Sequence, residues 1–265
     1  MSHGHSSEIS ASSDRSEGAA NPAESTVLSR TERGQMATAD AVQQAKAEIG
    51  RHKNPEVRGY KIQGRAGELL AHKARPDSID VNEDLRNHPV YDLYDRNHAY
   101  SVKTRLNKPD GSVPVANYAH DLRVATGAIP PAEGGRYAGM QAVDVAADRL
   151  TSLKTEQPEL WQRLSKHMPA GLVHAKDATA MASAMKDKAE LLVPADHVAA
   201  TRGYVERVAQ LHPEKYGLPS DLTSDQLASA ARELANRVKP IAKGVTSEII
   251  ENYVDKAVKP HRRYS

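Results

Sequence analysis

A chain of 265 residues with 36 Lys and Arg against 34 Asp and Glu carries a formal net charge of +2, which excludes a broadly basic nucleic-acid coat and leaves room only for a local basic surface. Cysteine is absent, so disulfides, thiolate metal sites and a cysteine nucleophile are excluded. Phenylalanine is absent too, leaving the core to Leu, Val, Ile, Ala and ten tyrosines, and no apolar run approaches the roughly 20 residues of a membrane span.

Residues 1–35 are rich in Ser, Glu and Ala and lack an apolar h-region, so they read as a disordered tail with no Sec signal peptide. His3 and His5 within it read more simply as part of a flexible polar tail than as a copper or nickel site. Residues 39–49 then read as a short helix with Val42, Ala45 and Ile49 on one side and Gly50 as its stop. Leu69 and Leu70, with Ala66 and Ala71, suggest a second short helix over 64–73, and this helix carries Glu68.

The most informative stretch follows. Residues 90–94 and 99–104 are rich in β-branched and aromatic side chains, and Asp95, Arg96, Asn97 and His98 between them are turn formers. A hairpin with a two-residue loop places Asp95 opposite His98, Tyr94 opposite Ala99, Leu93 opposite Tyr100 and Asp92 opposite Ser101. Side chains alternate along a strand, so Asp92, Ser101 and Lys103 are expected on one face. Beyond the hairpin, residues 108–112 form a plain turn and residues 129–135 a loop, with His120 and Arg123 between them as candidate phosphate contacts. From Gln141 onward the chain reads as almost entirely helical. Val143, Ala146, Ala147, Leu150 and Leu153 make one apolar stripe. Asp177 caps a helix running to Leu192, and Leu227, Ala231, Leu234 and Val238 mark a later one.

Asp92, Glu68 and Lys103 together outline a metal-dependent phosphodiesterase site. Carboxylate oxygens hold a hard divalent cation, which polarises a phosphate and lowers the pKa of a bound water. A lysine beside them can orient that water or offset charge in the transition state. Lys103, Arg105 and Lys108 after the motif, and Arg51, His52 and Lys53 before it, are the candidate local basic surface; solvated surface charge is the alternative for each cluster. His167, His174, His197 and His212 show no metal-ligand spacing and read as surface or capping residues. Glu68 and His72, four apart, lack a further ligand of that kind.

Glu68, Asp92 and Lys103, in the order helix glutamate, strand aspartate, hairpin, Val102, Lys103, resemble the PD-(D/E)xK nuclease superfamily. Pro89, Val90, Tyr91, Asp92, Leu93, Tyr94 and Asp95, followed by Tyr100, Ser101, Val102, Lys103 and Thr104, are most similar to nuclease domains of bacterial polymorphic toxins and secreted effectors. The resemblance covers roughly residues 60–125. It implies a restriction-endonuclease-like fold of the α+β or α/β class, a small mixed sheet with flanking helices, here embedded in an α-rich chain. It also implies cleavage of DNA with Mg2+ (or Mn2+), with Asp92 as main metal ligand, Glu68 as the helix acid on the same metal and Lys103 as the catalytic lysine. The family's usual acid two residues before the lysine is Ser101 here. A serine hydroxyl can contact a water in the metal's shell but is a weaker ligand, so either Glu68 compensates or the domain binds without cutting.

The expected organisation is a tail over 1–35, a nuclease-like core over 36–140 and a helical region over 141–265 packed on or appended to it. The resemblance implies an antibacterial toxin or effector with a cognate immunity protein, made in the bacterial cytoplasm and exported by a non-Sec system. The alternatives are a cellular restriction or repair nuclease, and a non-catalytic nucleic-acid-binding or structural protein with a degenerate nuclease fold.

Overall fold

Ser29 opens the first helix with a capping box: its hydroxyl accepts from the Glu32 N–H at 3.2 Å while the Glu32 carboxylate accepts from the Ser29 N–H at 2.7 Å. Helix α1 (Arg30–Ile49) ends at Gly50, whose φ of +66° suits glycine. The structure is a computed structural model and describes residues 29–50, 54–85, 87–130, 137 and 139–258. The expected tail therefore gives way to helix at its end, and residues 1–28 lie outside the described residues, as do Arg51, His52 and Lys53.

Asn54 caps α2 (Pro55–Lys73) by accepting from the N–H groups of Glu56 and Val57, with Pro55 in the first turn. The helix is 19 residues long, about twice the expected span. Strand β1 (Ile79–Asp80), the single turn α3 (Val81–Asp84), β2 (Leu93–Tyr94) and β3 (Ala99–Val102) follow. β1 pairs antiparallel with β2, and β2 with β3 in the expected register, Leu93 opposite Tyr100 and Tyr94 opposite Ala99. The two-residue loop needs no glycine because the Asp95 carboxylate accepts from the Asn97 and His98 N–H groups, both at 2.8 Å.

Helices α4 (Val115–Ala125), α5 (Ala142–Glu156), α6 (Pro158–Ser165), α7 (Ala170–Val173) and α8 (Ala178–Lys188) come next. Asp177 caps α8 as expected, accepting from the Ala180 N–H at 2.8 Å. The helix does not run to Leu192, however. At Ala189 the backbone becomes extended, and Ala189–Val193 form β4, parallel to β3. After α9 (Val198–Leu211) and α10 (Ser224–Asn236), Val238 likewise leaves the helical stripe and opens β5 (Val238–Pro240), parallel to β4. α11 (Ser247–Val258) closes the described chain. Pro240 stands on an edge strand, where a missing N–H is tolerated.

The result is a mixed α+β fold around one five-stranded sheet in the order β1-β2-β3-β4-β5, with helices on both faces. Leu93, Tyr100, Val102 and Leu192 face α1, α2 and α11 through Val42, Ile62, Leu70 and Ile250. On the other face, Tyr94, Ala99 and Ala189 meet α5, α6 and α8, while Leu191, Val193 and Val238 meet α4, α9 and α10. The region after residue 140 is thus not an appended helical block, since it supplies two strands of the sheet. Among the described residues no helix is long and apolar enough to cross a membrane.

Candidate active site

Of the residues singled out in the sequence, Glu68, Asp92 and Lys103 meet near the end of β3. Where β3 runs out, Thr104 lies against α2: its hydroxyl donates to the Gln63 carbonyl at 3.1 Å, and the Gln63 amide donates back to the Thr104 carbonyl. The approach is possible only because residue 67 is glycine. A Cβ there would stand 2.1 Å from Thr104 Cγ2. Gly67 thereby sets how closely α2 crosses the sheet, and with it how near Glu68, the next residue, comes to Lys103.

Asp92 reaches the same place through a break in strand alternation. Leu93 pairs with Tyr100, and the Asp92 N–H also donates to the Tyr100 carbonyl at 2.8 Å. Two residues face one, which is a β-bulge. Asp92 is released from its expected position opposite Ser101. Its Oδ2 accepts from the Val102 N–H at 2.7 Å, and its Oδ1 from the Asn82 amide at 3.3 Å. Lys103 Nζ lies 3.7 Å from the same Oδ2. Pro89, Val90 and Tyr91, just before Asp92, form a γ-turn in which the Tyr91 N–H donates to the Pro89 carbonyl at 2.8 Å and Val90 takes φ +68°. A β-branched residue at positive φ is strained, and such strain clusters at functional sites.

Glu68, Asp92 and Lys103 line one cleft of ≈ 1050 Å³. One wall is the flank of α2 formed by Tyr60, Lys61, Gly64, Arg65 and Glu68; the other includes Asn82, Glu83 and the chain around His88 and Val90. Arg65 gathers carboxylates along this wall. It donates to Glu48 at 2.6 Å, to Glu68 at 3.0 Å and to the buried Asp80, with Glu83 3.6 Å away. Glu68 is nonetheless pushed up to about 7: burial raises it most, the neighbouring Asp92 charge raises it further, and Arg65 offsets only part. His88 is held neutral by burial, which lowers it to about 3; one ring nitrogen lies 3.0 Å from the Tyr94 hydroxyl, and its Nδ1 has no partner among the described residues.

Glu68 and Asp92, two carboxylates that line one cleft and repel one another, are a hard-oxygen donor pair. That chemistry suits Mg2+, which is held by one or two carboxylates while keeping several of its waters. Among the described residues no group of three or more His, Asp and Glu side chains converges as a fuller cage.

Other expected residues lie elsewhere. Ser101 is 2% exposed, pairs with Leu191 on the far face of the sheet and does not line the cleft. His120 is exposed on α4, and Arg123 donates to the Lys215 carbonyl at 2.7 Å. Arg105 makes a two-pronged ion pair with Asp121 at 2.7 and 2.9 Å, and Lys108 belongs to the expected turn. His72 bonds Ser78 at 3.0 Å, and the buried His197 bridges Tyr118 and Asn107. Arg65, Asp80, Asn82 and Tyr60 were not singled out from the sequence. Arg65 carried a signal, since it stands three residues before Glu68 on the same helix.

No protein-family model, curated protein or solved structure matches the chain.

Proposed function

We propose that the chain is a metal-dependent phosphodiesterase that cleaves DNA, of the PD-(D/E)xK kind with a restriction-endonuclease-like core. One observation carries this reading: a helix glutamate, a bulged-strand aspartate and a lysine from the adjoining strand line one cleft, with Lys103 Nζ 3.7 Å from Asp92 Oδ2. The mixed sheet with flanking helices is consistent with it.

Asp92 and Glu68 would hold Mg2+ or Mn2+. Bound there, the cation supplies Lewis-acid polarisation of the phosphate and a water of lowered pKa. Asp92 is oriented by two protein donors, the Val102 N–H and the Asn82 amide, so its carboxylate is fixed before any ligand arrives. Glu68 is braced by Arg65, itself anchored on Glu48 and Asp80. Lys103, whose Nζ also donates to the Val102 carbonyl at 3.1 Å, offers a proton donor in the cleft that would stabilise charge on a phosphate oxygen or orient the attacking water. The setting that fits the resemblance is an antibacterial toxin or effector restrained by an immunity protein; a cellular restriction or repair nuclease would use the same chemistry.

A second reading has its own support. Asp92 already serves the fold by accepting the Val102 N–H left without a ladder partner, and Ser101 is a neutral residue inside the sheet where the family's other acid would stand. On that reading the protein binds nucleic acid without cutting it. Incubation of supercoiled plasmid with the full chain in Mg2+ or EDTA separates the two: nicking that EDTA abolishes supports the enzyme, and intact plasmid in Mg2+ and in Mn2+ supports the binder.

A further inference from the structure

The α2 wall of the cleft carries two features that the proposed chemistry does not use. Tyr60 is 72% exposed, the most exposed of the large hydrophobic side chains among the described residues, and makes no ring or cation contact with them. Gly64 stands in the middle of the helix, where glycine destabilises relative to alanine. Its smallness has no packing reason, because a Cβ built there meets nothing within 4 Å, whereas Gly67 one turn later is needed for Thr104. Both Tyr60 and Gly64 line the cleft.

Residues 60, 64 and 68 are spaced four apart and so form one stripe along the helix. The stripe runs from an open aromatic ring, over a gap with no side chain, to the acid that shares the cleft with Asp92. Its ends are about 12 Å apart along the helix axis. From this arrangement we infer that the stripe is a track for single-stranded DNA, with a base stacked on Tyr60, the sugar-phosphate backbone passing over Gly64, and a phosphate at Glu68, Asp92 and Lys103.

The choice of an unpaired strand follows from the ring. A base offers its π-face to an aromatic side chain only when it is out of the duplex stack, and stacking of this kind tolerates any sequence. Electrostatics sets a second condition. The lining charges are Glu48, Glu68, Glu83 and Asp92 against Lys61, Arg65 and Lys103. A polyanion entering this cleft therefore needs a divalent cation as well as stacking. The inference rests on the reading of the Glu68 and Asp92 end as a phosphate site.

The test is binding of a short labelled single-stranded DNA to the full chain in Ca2+, by fluorescence anisotropy, beside plasmid cleavage in Mg2+. Tyr60→Ala should weaken strand binding about 5- to 100-fold, and Tyr60→Trp should retain it. A strand with an abasic position under the ring should bind wild type and Tyr60→Ala alike. Gly64→Ala should weaken binding while its thermal midpoint stays equal to or above that of the wild type, a combination no folding defect produces. Equal binding by wild type, Tyr60→Ala and Gly64→Ala overturns the track, as does a wild type that binds no single strand or prefers duplex. Binding that depends on Tyr60 and Gly64 without any plasmid cleavage upholds the track and overturns only the enzyme reading.

Discussion

Thr104 sits on Gly67 with no room for a methyl group between them, the Cβ position at residue 67 being 2.1 Å from Thr104 Cγ2. That contact joins α2 to the end of β3 one residue from Glu68 on one side and one residue from Lys103 on the other. The cleft's geometry is therefore set by a packing contact that takes no part in its chemistry.

Gly67→Ala should destabilise the fold by about 1–3 kcal/mol, the usual cost of forcing a group into a packed site. It should also reduce any cleavage, because α2 and Glu68 move off the sheet together. Thr104→Ser removes Cγ2 and should recover much of the loss in the double variant, since Thr104 Cβ and Oγ1 would lie 3.4 and 3.5 Å from the new methyl. Urea unfolding of the two single variants and the double measures this coupling. Additive losses would show that the contact does not set the approach of helix to strand.

The pH dependence of stability carries the signature of Glu68. Its folded value, about 7, lies above the ordinary 4.5. For a group raised on folding, the favourable contribution is complete below the unfolded value and is lost as pH rises through the folded one. In EDTA, then, the wild type should lose stability relative to Glu68→Gln between about pH 4.5 and pH 7. Thermal melts of the two proteins across that range give the comparison, and parallel curves would contradict the burial of Glu68 in the cleft beside the Asp92 charge.

A fragment ending at residue 140 should fail to fold. It would lack β4, the parallel neighbour of β3, and with it Leu191, Leu192 and Val193, all fully buried. An exposed β3 edge and the uncovered faces of α2 and α4 predict aggregation. A soluble monomeric fragment with a cooperative melt would show that the sheet closes without its second half.

How far the sequence could be read depended on the kind of element. The hairpin was legible because its strands are bounded by turn formers, and Asp95 locks the loop with two backbone bonds. β4 and β5 were not. Each follows a helix with no Gly or Pro between, and Leu191, Leu192 and Val193 form a short apolar run, which periodicity cannot tell from the end of a buried helix. The site was legible in its residue types and partly in its geometry. Asp92 and Lys103 come together, but not by the alternation that placed them with Ser101: a bulge that no residue pattern announces brings Asp92 to the lysine and separates it from Ser101. Arg65 and Asp80 went unnoticed because their ion pair links α2 to β1, a two-residue strand too short to leave a pattern.

The central claim is that Asp92, Glu68 and Lys103 form a metal-dependent phosphodiesterase site, and plasmid cleavage by Asp92→Asn tests it most directly. An asparagine keeps an oxygen for the Val102 N–H and so spares the fold, but removes the charge that would hold the cation. The account predicts that the wild type relaxes supercoiled DNA in Mg2+ and not in EDTA, and that Asp92→Asn and Lys103→Ala, with melting points close to wild type, leave it supercoiled. Undiminished cleavage by folded Asp92→Asn, or no cleavage by the wild type with either Mg2+ or Mn2+, would contradict it.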